Sequence, residues 1–293
     1  MPAKARAALL TACVLWAVSF VATKVALEAA PPLVVVSIRL LVSAACFLPW
    51  IVASRGLAGI GGRRGLGRLF GLSLFGAGLH YGLQTVGLQY TTASNASLYA
   101  VTAPITILLL SAVFLGEHIT ARKALGVGLA VAGVLVVMGP ETLMSLELDA
   151  HAKGDLLVLV SIVMWGLFTV LGKKVTDEIG ALKVTSWVTL IGALWMLPVG
   201  VYEMRTTGYS LASMTADAWL AIGFLGVGCS FLAVLLYFAA LRRTESQKVG
   251  VYLYTIPLMT AVVAVLYLGE TLSANLVLGA ALVIAGVALT ERG

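Results

Sequence analysis

The chain has 293 residues, 60 % of them hydrophobic and only 11 % charged, with a mean hydropathy of +1.03 and a formal net charge of +6. Soluble domains are about half apolar and about one quarter charged, so this composition excludes a soluble globular class. Lipid offers no hydrogen bonds, so apolar runs this long must be helices that satisfy their own backbone groups.

Spanning a bilayer takes about 20 mostly apolar residues. Ten runs of that kind are read, at 7–27, 33–53, 68–88, 93–115, 121–139, 154–172, 182–202, 217–240, 246–268 and 272–290. The first follows Lys4 and Arg6 as a signal peptide would. Its apolar stretch is too long for one, no small-residue cleavage site follows, and nine more runs come after it. It is therefore predicted as the first spanning helix, with Trp16 near its centre. The third run carries "GLHYGLQT", which sets His80 at midplane and Gln84 one turn further. The fourth opens with "TTASNASLYAVTAP", in which Asn95, Tyr99, Thr102 and Thr106 follow the spacing of one helix face. The sixth places Trp165 near its centre, and the ninth contains "TESQKVGVYLYTIP" with Tyr252, Thr255 and Pro257. Cys13, Cys46 and Cys229 all lie inside runs, where a thiol acts as a small apolar side chain and suggests no disulfide or metal framework.

The basic charge is distributed by topology. With the N-terminus in the cytoplasm, that side receives Lys4, Arg6, Arg55, Arg63, Arg64, Arg68, Arg122, Lys123, Lys173, Lys174, Lys183, Arg242, Arg243, Lys248 and Arg292. The outer side receives only Lys153 and Arg205, while Lys24 and Arg39 lie within or near helix ends. This is the positive-inside asymmetry, and it predicts two cytoplasmic termini. The charge gives no reason to expect nucleic acid.

The chain also repeats itself. Residues 91–139 align without a gap onto 244–292 at an offset of 153, matching Pro104 to Pro257, "LGE" at 115–117 to "LGE" at 268–270, and Gly126 to Gly279. Upstream, an offset of 149 matches Trp16 to Trp165, Lys24 to Lys173 and Pro49 to Pro198. The two units are expected at 1–140 and 150–293, each of five helices. Five is odd, so they cross the membrane in opposite directions. Inverted repeats of this kind build many secondary transporters, with the substrate site near mid-membrane between the units.

"LWAVSFVATK" in the first run, "LQYTTASNASL" opening the fourth, Pro104, "LGE" and the glycines of the fifth resemble the drug/metabolite transporter superfamily, and within it the ten-helix EamA branch. The resemblance covers both halves. It implies an all-α polytopic protein of ten helices around a central cavity, exporting small metabolites across the bacterial inner membrane. Its members include YddG-type aromatic amino-acid exporters, and the aromatic lining here is compatible with that subgroup.

The candidate substrate-binding residues are Trp16, His80, Gln84, Asn95, Tyr99, Thr102, Trp165, Tyr252 and Thr255, with Pro104 and Pro257 as hinges. Tyr99 and Tyr252 each precede a central proline by five residues, about 7.5 Å of helix rise. The antiparallel runs therefore place one on each side of midplane, as gates to a tryptophan-walled site, unless their hydroxyls anchor neighbouring helices instead. His80 is the one central group with an ordinary pKa near neutrality, and so the proton carrier if export is proton-linked. No Asp or Glu lies in the middle of any run. A carrier of lipophilic cations needs such a counter-charge, so a neutral or zwitterionic solute is expected. Lys24 and Arg39 either snorkel to the interface or engage a substrate carboxylate. An intramembrane enzyme would need a nucleophile–base or metal constellation that these residues do not supply. The expected unit is a monomer that binds a small-molecule substrate and the bilayer, with no cofactor, metal or nucleic acid.

Overall fold

A computed structural model describes residues 1–53, 60–91, 96, 99–144, 148–259 and 274–293. Among them every regular element is helical and there is no strand. The elements are α1 (Ala3–Ala29), α2 (Pro32–Ala53), α3 (Gly62–Ser73), α4 (His80–Tyr90), α5 (Ala103–Leu115), α6 (Ala121–Met144), α7 (Leu148–Ile179), α8 (Ala181–Thr207), α9 (Ala216–Phe224), α10 (Val234–Leu241), α11 (Ser246–Gly250) and α12 (Ala274–Arg292). Among the described residues, five stretches are long and apolar enough to cross a membrane: Ala3–Ala29, Pro32–Ala53, Ala152–Ile179, Ala181–Thr207 and Ala216–Leu241. Leu109, Val113, Leu194 and Leu220 point outward and are more than half exposed, as a surface in contact with acyl chains requires.

Four expected helices are not uniform. The third and eighth runs each contain a π-helical stretch, Leu74–Leu79 between α3 and α4 and Leu225–Ala233 between α9 and α10. At the offset of 153, residues 74–79 fall on 227–232, so the irregularity recurs at the same place. Glycine allows close approach there: a Cβ on Gly76 would stand 2.4 Å from the Phe168 ring of α7. The fourth run is not the single helix that its sequence predicts: a turn at Val101–Thr102 divides it and α5 starts afresh with Pro104 in its first turn. Proline lacks the N–H for the bond four residues back, and its ring crowds the preceding turn. The ninth run behaves likewise. A 3-10 turn at Val251–Tyr254 precedes the helical residues 255–259 that hold Pro257.

Packing follows the same correspondence. α1 lies against the stretch from α9 to α10, and α7 against the π-turn and α4. α2 packs on α8 and on the second π-stretch, while α8 packs on α3 and on the first. α6 and α12 form the most extensive pair, and glycine sets their separation. A Cβ on Gly126 would lie 2.3 Å from Thr290 Oγ1 and 2.7 Å from the Gly286 carbonyl. Between apolar helices in lipid, such close backbone contact is a main source of association.

Candidate functional site

The middle of the bundle is aromatic. Trp16 from α1, Trp165 from α7 and Tyr237 from α10 form a triangle with ring centroids 5.2, 5.4 and 5.4 Å apart. All three are buried. The Trp16 indole N–H donates to the carbonyl of Cys229, inside the second π-stretch, at 3.3 Å. The Tyr237 hydroxyl lies 3.4 Å from Thr169 Oγ1. These rings meet edge to face or tilted, the arrangements favoured by the aromatic quadrupole.

His80 joins this group. Its ring centroid is 5.1 Å from Trp165 and 5.0 Å from Tyr81. Its Nδ1 is 2.9 Å from the carbonyl of Ser161, and because a carbonyl only accepts, Nδ1 carries the proton. Beyond Tyr81 lies Arg39, with its guanidinium carbon 3.9 Å from that ring's centroid and its Nε–H donating to Ser230 Oγ at 2.6 Å.

The two candidate gating tyrosines lie away from this centre, and each is held by a carboxylate. The Tyr99 hydroxyl donates to Asp155 Oδ2 at 3.0 Å, and Thr91 Oγ1 donates to Asp155 Oδ1 at 2.6 Å. The Tyr252 hydroxyl donates to Glu291 Oε1, and Arg6 pairs with the same carboxylate at 2.7 Å. Lys24 sits beside the first of these contacts, because its ammonium donates to the carbonyls of Leu88 and Thr91. Arg6 and Lys24 are 18 residues apart on α1, about 27 Å of rise. The two contacts therefore occupy opposite ends of that helix, with Trp16 between them.

The structure thus brings Trp16, Trp165 and His80 together and places Tyr99 and Tyr252 at the ends. Thr102 and Thr255 donate to the carbonyls of Tyr99 and Tyr252, each at 2.7 Å, so their hydroxyl protons are used within their own segments. Gln84 is half-buried on α4. Asn95 lies outside the described residues, as do Ser94 and Ser97. Lys24 spends two of its three ammonium donors on backbone carbonyls. It caps a helix C-terminus, as Lys173 does through the carbonyl of Leu241 at 3.0 Å. Lys173 and Leu241 are the residues that the offsets pair with Lys24 and Leu88. Sequence reasoning missed Asp155, Glu291, Tyr81 and Tyr237. One signal was available, since Asp155 aligns with Arg6 at the offset of 149 and both residues contact a candidate gating tyrosine or its carboxylate partner.

The EamA-like transporter family model matches the chain twice, over residues 4–139 and 152–292. The chain belongs to the EamA-like transporter family. Relatives of this EamA chain include an uncharacterized transporter of Archaeoglobus fulgidus, 31 % identical over 99 % of this chain and 98 % of that one. The uncharacterized transporter YvbV of Bacillus subtilis is 29 % identical over 98 % and 92 %. A protein named as a probable terminal-alkyne amino-acid exporter of Streptantibioticus cattleyicolor is 29 % identical over 70 % of this chain and 66 % of its own. A crystal structure superposes with a TM-score of 0.78 at 21 % identity, covering 100 % of this chain and 99 % of the other, and so shares the fold. The protein is a multi-pass membrane protein of a transporter family.

Proposed function

We propose that this EamA chain exports small metabolites, with amino acids as the leading class, across a bacterial inner membrane by alternating access. In this reading ten helices form two inverted repeats of five, over 1–140 and 150–293, with both termini in the cytoplasm. Support comes from the double family match, the recurring π-stretches and the exchanged packing partners of α1 and α7.

The observation that carries the proposal is the pair of tyrosine–carboxylate contacts at opposite ends of the aromatic centre. Tyr99 and Tyr252 are partners at the offset of 153, and both lie just before a proline-broken segment. The segment after each break can pivot, since a proline start leaves fewer backbone bonds across the joint. Opening one contact while the other holds exposes the Trp16–Trp165 region to one side only. Tyrosine hydroxyls therefore act as latches and their carboxylates as keepers. The amino-acid preference draws on the aromatic centre and on the named exporter relative, while the aromatic YddG-type subgroup rests on the sequence motifs alone.

Counterflow tests this reading. Proteoliposomes loaded with excess unlabelled Phe, Trp, Met, Thr, Ala or Glu receive a labelled trace outside. Saturable accumulation favouring Phe, Trp or Met over Glu supports the exporter. Flux that is linear in concentration, with no trans-stimulation, would mark a channel.

A further inference from the structure

Arg39 is the only charged residue of α2, seven residues in from Pro32 and so about 10 Å along the helix. A snorkelling arginine keeps its head in water, but Arg39 is only 3 % exposed. Its contacts are the Ser230 hydroxyl and the Tyr81 ring, and no carboxylate pairs with it among the described residues. A buried cation without counter-charge is costly, and that cost is ordinarily relieved by a partner anion.

The internal repeat shows that the helix crossing itself does not need this charge. At the offsets of 149 and 153, Arg39 corresponds to Val188, Tyr81 to Val234, His80 to Ala233 and Ser230 to Ala77. All four counterparts are buried. One crossing is therefore packed with valine and alanine, while its counterpart holds an arginine, a histidine, a tyrosine and a serine. The polar version adjoins the aromatic centre through unbroken ring contacts from Tyr81 to His80 to Trp165 to Trp16.

We infer that Arg39 is the anion-recognition residue of the central site, and that the transported solute presents a carboxylate to it while its apolar part lies against Trp16, Trp165 and Tyr237. This rests on the exporter reading above. The planar guanidinium matches a carboxylate through two parallel N–H bonds, and the solute supplies the missing counter-charge. An amino group on the same solute finds ring faces rather than an acid, since the centre offers no carboxylate among the described residues. The same guanidinium repels lipophilic cations.

The test uses the purified full-length protein and two matched pairs of probes: 3-phenylpropionate against 3-phenylpropanamide, and phenylalanine against phenylalaninamide. Thermal stabilisation in detergent reads binding, and counterflow reads transport. Wild type is expected to be stabilised by the carboxylates at concentrations at least tenfold lower than by the amides. Arg39→Gln and Arg39→Val, the latter copying Val188, should fold but lose that preference, and Arg39→Lys should retain part of it. If the variants fail to fold, the carboxylate–amide contrast in wild type still decides. Equal stabilisation by acid and amide, no stabilisation by any probe, or an unchanged preference in Arg39→Val would overturn the assignment. Carboxylate binding at Arg39 without counterflow of any solute would instead retire the exporter reading and leave the anion site standing. Charge-blind counterflow would do the reverse.

Discussion

The two ends of the bundle solve one problem with different chemistry. At one end Asp155 is buried and accepts from two hydroxyls, those of Thr91 and Tyr99. At the other, Glu291 accepts from one hydroxyl, that of Tyr252, and is reinforced by an ion pair with Arg6, whose side chain is 50 % exposed. A buried carboxylate loses heavily when its donors leave, because water does not replace them at once. A half-exposed ion pair contributes about 0–1 kcal/mol and is screened by salt. The Asp155 end is therefore expected to hold through hydrogen-bond satisfaction, and the Glu291 end to be tuned by charge.

The largest effect is expected at the buried end. Asp155→Ala leaves the Thr91 and Tyr99 hydroxyls without their acceptor, a cost of about 1–3 kcal/mol. A fall in the thermal midpoint of the purified protein and a fall in counterflow of at least tenfold would record it. Next come the tyrosines, taken as a pair. Tyr99→Phe and Tyr252→Phe each remove one hydrogen bond to a carboxylate, worth about 1.5 kcal/mol at these part-buried positions, enough to shift the open population at the affected end about tenfold. The shifts should be opposite in sense, so a double variant should restore the balance between the two open states. If Tyr99→Phe and even Tyr99→Ala transport as wild type does, that tyrosine is no latch. Smallest is Arg6→Gln, which removes only the exposed ion pair. Its expected change is under fivefold, and raising salt should move wild type toward the variant while leaving the variant itself unchanged.

What could be read from the sequence follows from what repeats. The offsets pair Trp16 with Trp165 and Pro104 with Pro257, and the structure joins the tryptophans and breaks the chain just ahead of both prolines. Those features are set by residue type and spacing, which a sequence displays directly. Lys24 and Arg39 show where that reasoning stops. In sequence both are long cations inside apolar runs, open to the same alternatives of snorkelling or binding. Their fates diverge through tertiary contacts: Lys24 reaches the C-terminal end of α4, whereas Arg39 is enclosed by Tyr81 and Ser230. Asp155 does not stand out in the sequence, because a carboxylate at the edge of an apolar run resembles an ordinary solvated helix start. Only the approach of Thr91 and Tyr99 from other segments gives it a task. The π-stretches were illegible as well, since the glycines within them are as common in any close-packed membrane helix.

The central claim is that the two tyrosine contacts open in alternation around one site, and Cys229 provides a reporter for it. It is buried at the centre, where its carbonyl accepts from Trp16 and its thiol lies 3.4 Å from the Leu15 carbonyl. With Cys13 and Cys46 replaced by alanine, it becomes the sole thiol in the chain. Labelling by a membrane-impermeant maleimide is then compared in right-side-out and inside-out vesicles. Tyr99→Phe is predicted to speed labelling from outside and slow it from inside, and Tyr252→Phe to do the opposite. If both substitutions speed labelling from the same side, or neither alters it, the two contacts are not alternating gates.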